Sequence, residues 1–403
     1  MAAIEGIGMP FIVATGIECS APTIAGGLRR DELRLTGHWD RVEQDLDLVV
    51  AMGISHLRYG IPFHLVAADP AQLDWTWTDR AMAALRDRPI EPIVDLFHFG
   101  VPDDVWGIGD PSLPDRYAAY VRAFVERYPW VSWYTPVNEP FITANLSAGL
   151  GWWNERRSDD ASFVAALANA VTCAIRGTAI IRAHRPDAVF LQSDACEAFR
   201  PAGPGARALA THRTERGFLG FDLTYGRRPS ARMTRWLLGN GLGEDRLEWF
   251  LENGSTVGAI VGLDYYPANE RIVDVDGEER MDVRRGFGAI ARRFYERYRV
   301  PVMLAETNTT SELAPDWLRE TWNETVALVD EGVPVAGYCW YSLTDQVDWD
   351  TSLREANDTV NSLGLVDLDR ARRPVSYLYE DLARTTARLG RPAPAAIEED
   401  PAA

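Results

Sequence analysis

An eight-stranded parallel α/β barrel, (β/α)8 of the TIM type, is the fold class this sequence predicts, and three observations predict it. Short runs of β-branched and aromatic residues alternate with longer segments whose apolar residues recur at helical spacing. Eight such runs can be counted, which suits a closed barrel better than a doubly wound sheet. Two of the runs end in a glutamate, Glu139 and Glu306, and the C-terminal strand ends of a barrel are where its active site is built. The 403 residues fit one barrel with insertions, taken as residues 1–390. A Pro/Ala/Glu-rich tail, 391–403, is expected to be disordered.

In chain order, Phe11 to Ile17 reads as the first strand, with Glu18 near its top. His38 to Met52 carries Trp39, Val42, Leu46, Val49 and Val50 at helical spacing and stops at Gly53. Ser55 to Gly60 is the second strand and contains Arg58; Ala81 to Asp87 is helical; Ile90 to His98 is the third strand, broken by Gly100 and Pro102. The amphipathic helix Leu113 to Tyr128 leads into the fourth strand, Ser132 to Val137. Pro140 cannot donate to a sheet ladder, so Asn138-Glu139 should lie where that strand gives way to its loop. That loop, Phe141 to Arg157, is long and carries Trp152 and Trp153, as a binding loop would. Ala161 to His184 is a long helix, Ala188 to Asp194 the fifth strand, and Arg200 to Asn253 a helical and loop-like insertion punctuated by glycines. Gly258 to Tyr266 is the sixth strand, Asp274 to Gly277 a turn between extended segments, and Phe287 to Tyr298 a helix. Pro301 to Glu306, Pro315 to Glu331, Val335 to Ser342 and Tyr377 to Leu389 complete the alternation as strand, helix, strand and helix.

Hydrophobic residues make up 46% of the chain and charged residues 25%, the balance of a globular protein with a sizeable core. A net charge of −18 opposes nucleic acid, anionic membranes and polyanionic substrates and favours neutral partners. The N-terminus lacks a basic region followed by a long apolar one, and no apolar run reads as long enough to span a bilayer, so a cytoplasmic protein is expected. Cys19, Cys173, Cys196 and Cys339 show no C-x-x-C spacing and read as reduced, mostly buried thiols. The six histidines show neither H-x-H nor H-E-x-x-H, so no metal site is expected.

Two carboxyl groups on two strand ends suggest glycoside hydrolysis, in which one protonates the leaving oxygen and the other attacks or activates water. Thr135 to Pro140, Leu304 to Asn308 and Gly337 to Trp349 resemble, in that order, the acid/base, nucleophile and sugar-binding motifs of glycoside hydrolase family 1. Ile90 to His98 resembles that family's third strand, and the resemblance runs from about Phe11 to Leu389, weakest over Arg200 to Asn253. It implies a cofactor-free, β-glucosidase-like retaining enzyme for a small glycoside or oligosaccharide. Glu306 would be the nucleophile, Glu139 the acid/base, and Arg58 and Tyr266 the support of the nucleophile. Asn138 would contact the sugar 2-hydroxyl and His98 a neighbouring one, with Glu18, Tyr341, Asp348, Trp349, Trp152 and Trp153 as further sugar-binding candidates.

The chain departs from the family where specificity is set. Glu18 and Cys19 stand where a Gln is usual, Phe99 and Tyr341 where Trp is usual, Asp348 replaces a Glu and Asp264 an Asn. The sugar therefore need not be glucose, and a 6-phosphosugar is disfavoured because Asp348 would repel it. Taken without the resemblance, the same residues have plainer readings: Arg58 pairing with Asp95 or Glu139, His98 as a satisfied core residue, the tryptophans as packing, Asp194 and Glu197 as solvated loop acids. Transglycosylation at the same site, favoured by an apolar acceptor loop over Phe141 to Trp153, and a sugar-binding barrel without turnover are the rival functions; a metal-dependent hydrolase is a weaker one.

Overall fold

Alternation at the level of single residues builds the barrel in this computed structural model, which describes residues 10–281 and 285–393. The strands are β1 (Ile12–Gly16), β2 (His56–Gly60), β3 (Glu91–Asp95), β4 (Trp133–Thr135), β5 (Val189–Ala195), β6 (Ala259–Asp264), β7 (Val302–Glu306) and β8 (Val335–Trp340). They close in the order β1-β8-β7-β6-β5-β4-β3-β2, every pairing parallel. Ile12, Ala14, Ile93, Leu191, Ile260, Met303, Ala305 and Cys339 fill the interior. Their sequence neighbours Val13, Val94, Val261, Val302, Leu304 and Tyr338 point outward and pack beneath the helices.

A helix follows each strand except β5, where four helices between Arg207 and Asn253 form the insertion. In Leu113–Arg127, Pro114 sits in the first turn and Leu113, Tyr117, Tyr120, Val121 and Phe124 form the buried stripe. Asp159 caps Asp160–His184 by accepting from the Ser162 amide. That 25-residue helix is, by length and composition, apolar enough to cross a membrane, contrary to the sequence reading. Its apolarity has a local cause: 72% of the apolar window is buried inside the fold, as in a core helix covered on several sides.

The loop expected over residues 141–157 begins instead as helix Pro140–Ala144, continued by the π-turn Asn145–Gly149. Pro140 presets the first helical residue, and the Asp194 carboxylate, from β5, accepts the orphan Phe141 amide at 2.9 Å. A cap supplied from another strand leaves no local signal. The turn at Asp274 to Gly277 does join two extended segments, Glu270–Val273 and Glu279–Met281, which pair antiparallel. All four cysteines are buried free thiols. From residue 394 onward the expected disordered tail lies outside the described residues.

The closing segment is tied to helix Val42–Ala51 by a buried ion pair. Arg370 donates to both oxygens of Asp45 at 2.7 and 2.8 Å, and Asp45 also pairs with His38 at 2.8 Å. The His38 ring in turn bonds the Tyr59 hydroxyl of β2. Burial disfavours the charge on Asp45, yet Arg370 and His38 hold its carboxyl below the usual aspartate range. Because the folded-state value is depressed, the stability Asp45 contributes is present at neutral pH and is lost on acidification. Asp45→Ala, which strands a buried guanidinium, is expected to cost about 3–5 kcal/mol in urea unfolding at pH 7 and clearly less near pH 4. An equal cost at both values would contradict the ionic account.

Candidate active site

The C-terminal ends of the strands each deliver a polar side chain to the barrel mouth, and Arg58 of β2 is the one they meet around. Its guanidinium is 1% exposed. Nη1 donates to Glu306 Oε1 at 2.5 Å and to the Ala305 carbonyl at 3.1 Å. Nη2 donates to Asn138 Oδ1 at 2.7 Å and to Ser193 Oγ at 3.1 Å. Asp95 and Asp264 lie at ion-pair distance, 3.7 and 3.8 Å, and the Tyr341 ring is centred 5.2 Å away.

Glu306 reaches this position because the register of β7 against β6 skips Ala305, setting Glu306 opposite Asp264. Its second oxygen accepts from the Tyr266 hydroxyl at 2.7 Å. Each carboxylate oxygen thus has one strong donor, a setting for an anion. Glu139 sits differently. Its backbone is left-handed, φ 42° and ψ 65°, a strained conformation for a residue with a Cβ. The surrounding bonds impose it: Glu139 donates its amide to the Ser193 carbonyl at 3.1 Å and accepts from the Thr143 amide at 2.8 Å. Burial first, then the nearby Asp264, Glu306 and Asp194 carboxyls, push the Glu139 carboxyl well above the usual glutamate range. Two glutamates in one mouth therefore meet opposite environments, one gripped by donors and one dry among acids.

The remaining candidates divide. Asn138 is fully buried, and since Arg58 and Ser193 both donate to its Oδ1, its Nδ2 faces His98 Nε2 at 3.2 Å as a donor. His98 accordingly carries its proton on Nδ1, toward Asp95 Oδ2 at 2.8 Å. Tyr341 stacks parallel to His98 with centroids 6.3 Å apart and donates its hydroxyl to the Ile17 carbonyl at 3.2 Å. Gly16 is required beneath that ring, because a Cβ there would lie 2.2 Å from its carbons. Glu18 is buried near His98 and Glu306, and desolvation pushes its carboxyl up. Tyr266 completes the group gathered around Arg58.

Asp348 and Trp153 are instead built into the fold. Asp348 accepts from Arg30 Nη2 at 2.6 Å and from the amides of Asn357, Asp358 and Thr359, which fills the capacity of a carboxylate. Trp153 is fully buried against Phe99, its indole N–H donating to the Ser352 carbonyl at 2.9 Å. Trp152 and Trp349 are partly buried; the Arg354 guanidinium lies over the Trp152 ring, and the Trp349 indole N–H has no protein partner.

Sequence reasoning missed Ser193 and Glu32 altogether and saw Asp264 only as a departure. Glu32 is fully buried beside Glu18, with Oε2 accepting from the Val347 amide and Oε1 unpartnered. A polar residue at the end of every apolar run is the signal that could have found Ser193 and Asp264; Glu32, in a short helix after β1, has none. Asp194, read as a solvated loop acid, is fully buried, and desolvation pushes its carboxyl up to about 8 despite amide donors from Phe141 and Ala195.

Cys19, Asp95 and His98 are the only metal-type ligand set found together among the described residues. Burial keeps the proton on the Cys19 thiol, and both His98 nitrogens are already engaged by Asp95 and Asn138, so the three present a hydrogen-bonded cluster rather than an open ligand set.

The family model for glycosyl hydrolase family 1 matches residues 34–223 of this chain. The chain is also 20% identical over 425 residues to the aryl-phospho-β-D-glucosidase BglC of Bacillus subtilis (strain 168), covering 86% of this chain and 87% of that one. A family 1 β-glucosidase from Thermotoga maritima superposes with a TM-score of 0.80 at 17% identity, over 95% of this chain and 98% of that one. The Thermotoga maritima β-glucosidase in complex with noeuromycin gives 0.79 at 18% identity, over 96% and 99%. The chain is thus similar to glycosyl hydrolase family 1 over residues 34–223 and shares its barrel fold with the Thermotoga maritima β-glucosidases. The matched segment contains Arg58, His98, Asn138 and Glu139 but ends before Tyr266, Glu306 and Tyr341, which the fold alone brings to them.

Arg58→Met would leave Glu306, Asp264 and Asp95 buried without their cation. The acids then bind protons more tightly in the folded state than in the unfolded one, so stability falls as pH rises. A loss of about 3–5 kcal/mol is expected at pH 8 and a smaller one at pH 5, read by chemical unfolding. A loss independent of pH would contradict the charge assignment.

Proposed function

We propose that this protein is a retaining β-glycosidase that works by double displacement, with Glu306 as nucleophile and Glu139 as general acid and then general base. The family match and the β-glucosidase relatives support a glycoside hydrolase acting on O-glycosyl bonds. The observation that carries the mechanism is the contrast between the two glutamates: Arg58 and Tyr266 grip Glu306, while Glu139 is buried among carboxyls. In the first step a Glu306 oxygen bonds to the anomeric carbon as the glycosidic C–O bond breaks and Glu139 protonates the departing oxygen. In the second, Glu139 takes a proton from water, which attacks the same carbon and releases Glu306. Asn138, fixed by Arg58 and Ser193, has a second N–H free of His98 to meet a sugar hydroxyl.

A neutral sugar suits the mouth better than a phosphorylated one. Glu32 lies beside Glu18 and near Asp348, and the cation near Glu32, Arg30, is already held by Asp348 and Asp358 at 2.6 and 2.9 Å. Hydrolysis is favoured over transfer to a sugar acceptor, since Phe141 and Trp153 of the presumed acceptor loop are buried in packing rather than offered as an apolar wall.

On a panel of nitrophenyl glycosides, activity is expected on β-anomers and not on α-anomers, with Glu306→Gln reducing turnover by on the order of 10^4-fold or more. Azide added to Glu306→Ala with an activated β-glycoside is expected to yield the α-glycosyl azide. A β-azide, or an undiminished rate in the Gln variant, would contradict the nucleophile assignment.

A further inference from the structure

A cavity of about 490 Å3 lies between the loops that follow β1 and β3, and none of the groups gathered around Arg58 lines it. Thr23, Arg29, Trp106 and Asn154 line it from loops, and His64 from helix Phe63–Val66. Ile24, Phe99 and Trp153, which adjoin this lining in the chain, pack together in one buried cluster. Trp106 is the one tryptophan of the chain that is mainly exposed, at 57%. Its amide donates to Asp110 Oδ2 at 3.2 Å, which fixes the turn that carries the ring. His64 is the opposite case, 95% buried and yet without a hydrogen bond at Nε2. Asp31 Oδ2 lies 3.7 Å from that nitrogen, so charge favours the tautomer with its proton on Nε2 and a free lone pair on Nδ1. Gly100 keeps Nδ1 uncovered, since a Cβ there would come within 3.2 Å of it. A buried imidazole left unsatisfied calls for a partner.

We propose that this cavity is a second carbohydrate site, separate from the catalytic mouth, which takes a neutral pyranose unit with one face on Trp106 and its hydroxyls toward His64 and Asn154. The lining selects against other ligands. Its guanidinium, Arg29, donates to the Ala21 and Val101 carbonyls at 2.7 Å each and to Asp103 at 2.5 Å, so an anion finds the cation already taken. Burial holds the His64 imidazole below the usual histidine range, which leaves it neutral at pH 7. A flat apolar ligand would cover the indole but leave the imidazole unsatisfied. A sugar ring meets both demands, since its C–H face is apolar and its rim carries hydroxyls that donate and accept. Asn154 adds an acceptor: its Nδ2 is committed to the Phe99 carbonyl and Ser147 Oγ, whereas its Oδ1 receives only the Thr23 amide, at 3.4 Å.

The site does not depend on the roles proposed for Glu139 and Glu306, and its test reads binding rather than turnover. The full chain carrying Glu306→Gln and labelled with 5-fluorotryptophan is titrated with cellobiose, lactose and mannobiose and followed by 19F NMR. The Trp106 signal is assigned by its loss in Trp106→Phe. At least one disaccharide is expected to shift that signal saturably at millimolar concentration. His64→Ala should raise the midpoint of the shift about tenfold or more. If that variant fails to fold, Ala68→Phe, at an exposed position of the lining, fills the cavity and should abolish the shift. With Glu306 restored, hydrolysis of nitrophenyl glycosides should be unchanged by either substitution. A Trp106 signal unmoved by every disaccharide overturns the proposal. So does a shift that survives His64→Ala and Ala68→Phe undiminished, which would report binding at the mouth alone, or a shift given by sulfate or phenol and by none of the sugars.

Discussion

One buried guanidinium organises the mouth of this barrel. Arg58 lies at the end of β2 and ties together Asn138 after β4, Ser193 on β5, and both Ala305 and Glu306 on β7. A charge buried this deeply is tolerated only where donors and counter-ions surround it, so the strand ends that supply those partners are held in register by the same contacts that form the site. The planar fork explains why arginine is needed: one Nη serves the proposed nucleophile while the other orients the amide beside the proposed acid. Fold and chemistry share a single electrostatic centre.

The asymmetry between Glu139 and Glu306 follows from that centre. Glu306 receives a guanidinium on one oxygen and a phenol on the other, whereas Glu139 is turned by a left-handed backbone into a region populated by carboxyls. Identical side chains thus face opposite electrostatic surroundings in one mouth. The same logic reaches outward to Asn138, whose amide is locked by Arg58 and Ser193 and in turn fixes the tautomer of His98, itself braced by Asp95.

What the sequence revealed follows the range of the forces involved. Strand-like runs that contain Arg58, end in Glu306 or lead into Glu139 were legible because a strand and the residues at its end are neighbours in the chain. The helix at Pro140 was not legible, since its cap comes from Asp194, 53 residues beyond the Phe141 amide it accepts. The long helix Asp160–His184 escaped the apolar-run reading, its hydrophobicity being explained by burial within the fold. Asp348 and Trp153 looked like pocket residues by motif, yet Arg30, 318 positions away, and the Ser352 carbonyl claim their polar atoms. Glu32 gave no signal at all, because only the closing of the barrel brings the Val347 amide to it.

The central claim is that Glu306 forms a covalent bond to the sugar while Arg58 and Tyr266 hold it in place. Incubation with a 2-deoxy-2-fluoro-β-glycoside bearing a good leaving group slows both steps and traps the intermediate, and peptide mapping by mass spectrometry then locates the adduct. The account predicts a single glycosyl group on the peptide that contains Glu306, absent in Glu306→Gln. An adduct on Glu139, or on a residue outside the barrel mouth, would contradict it.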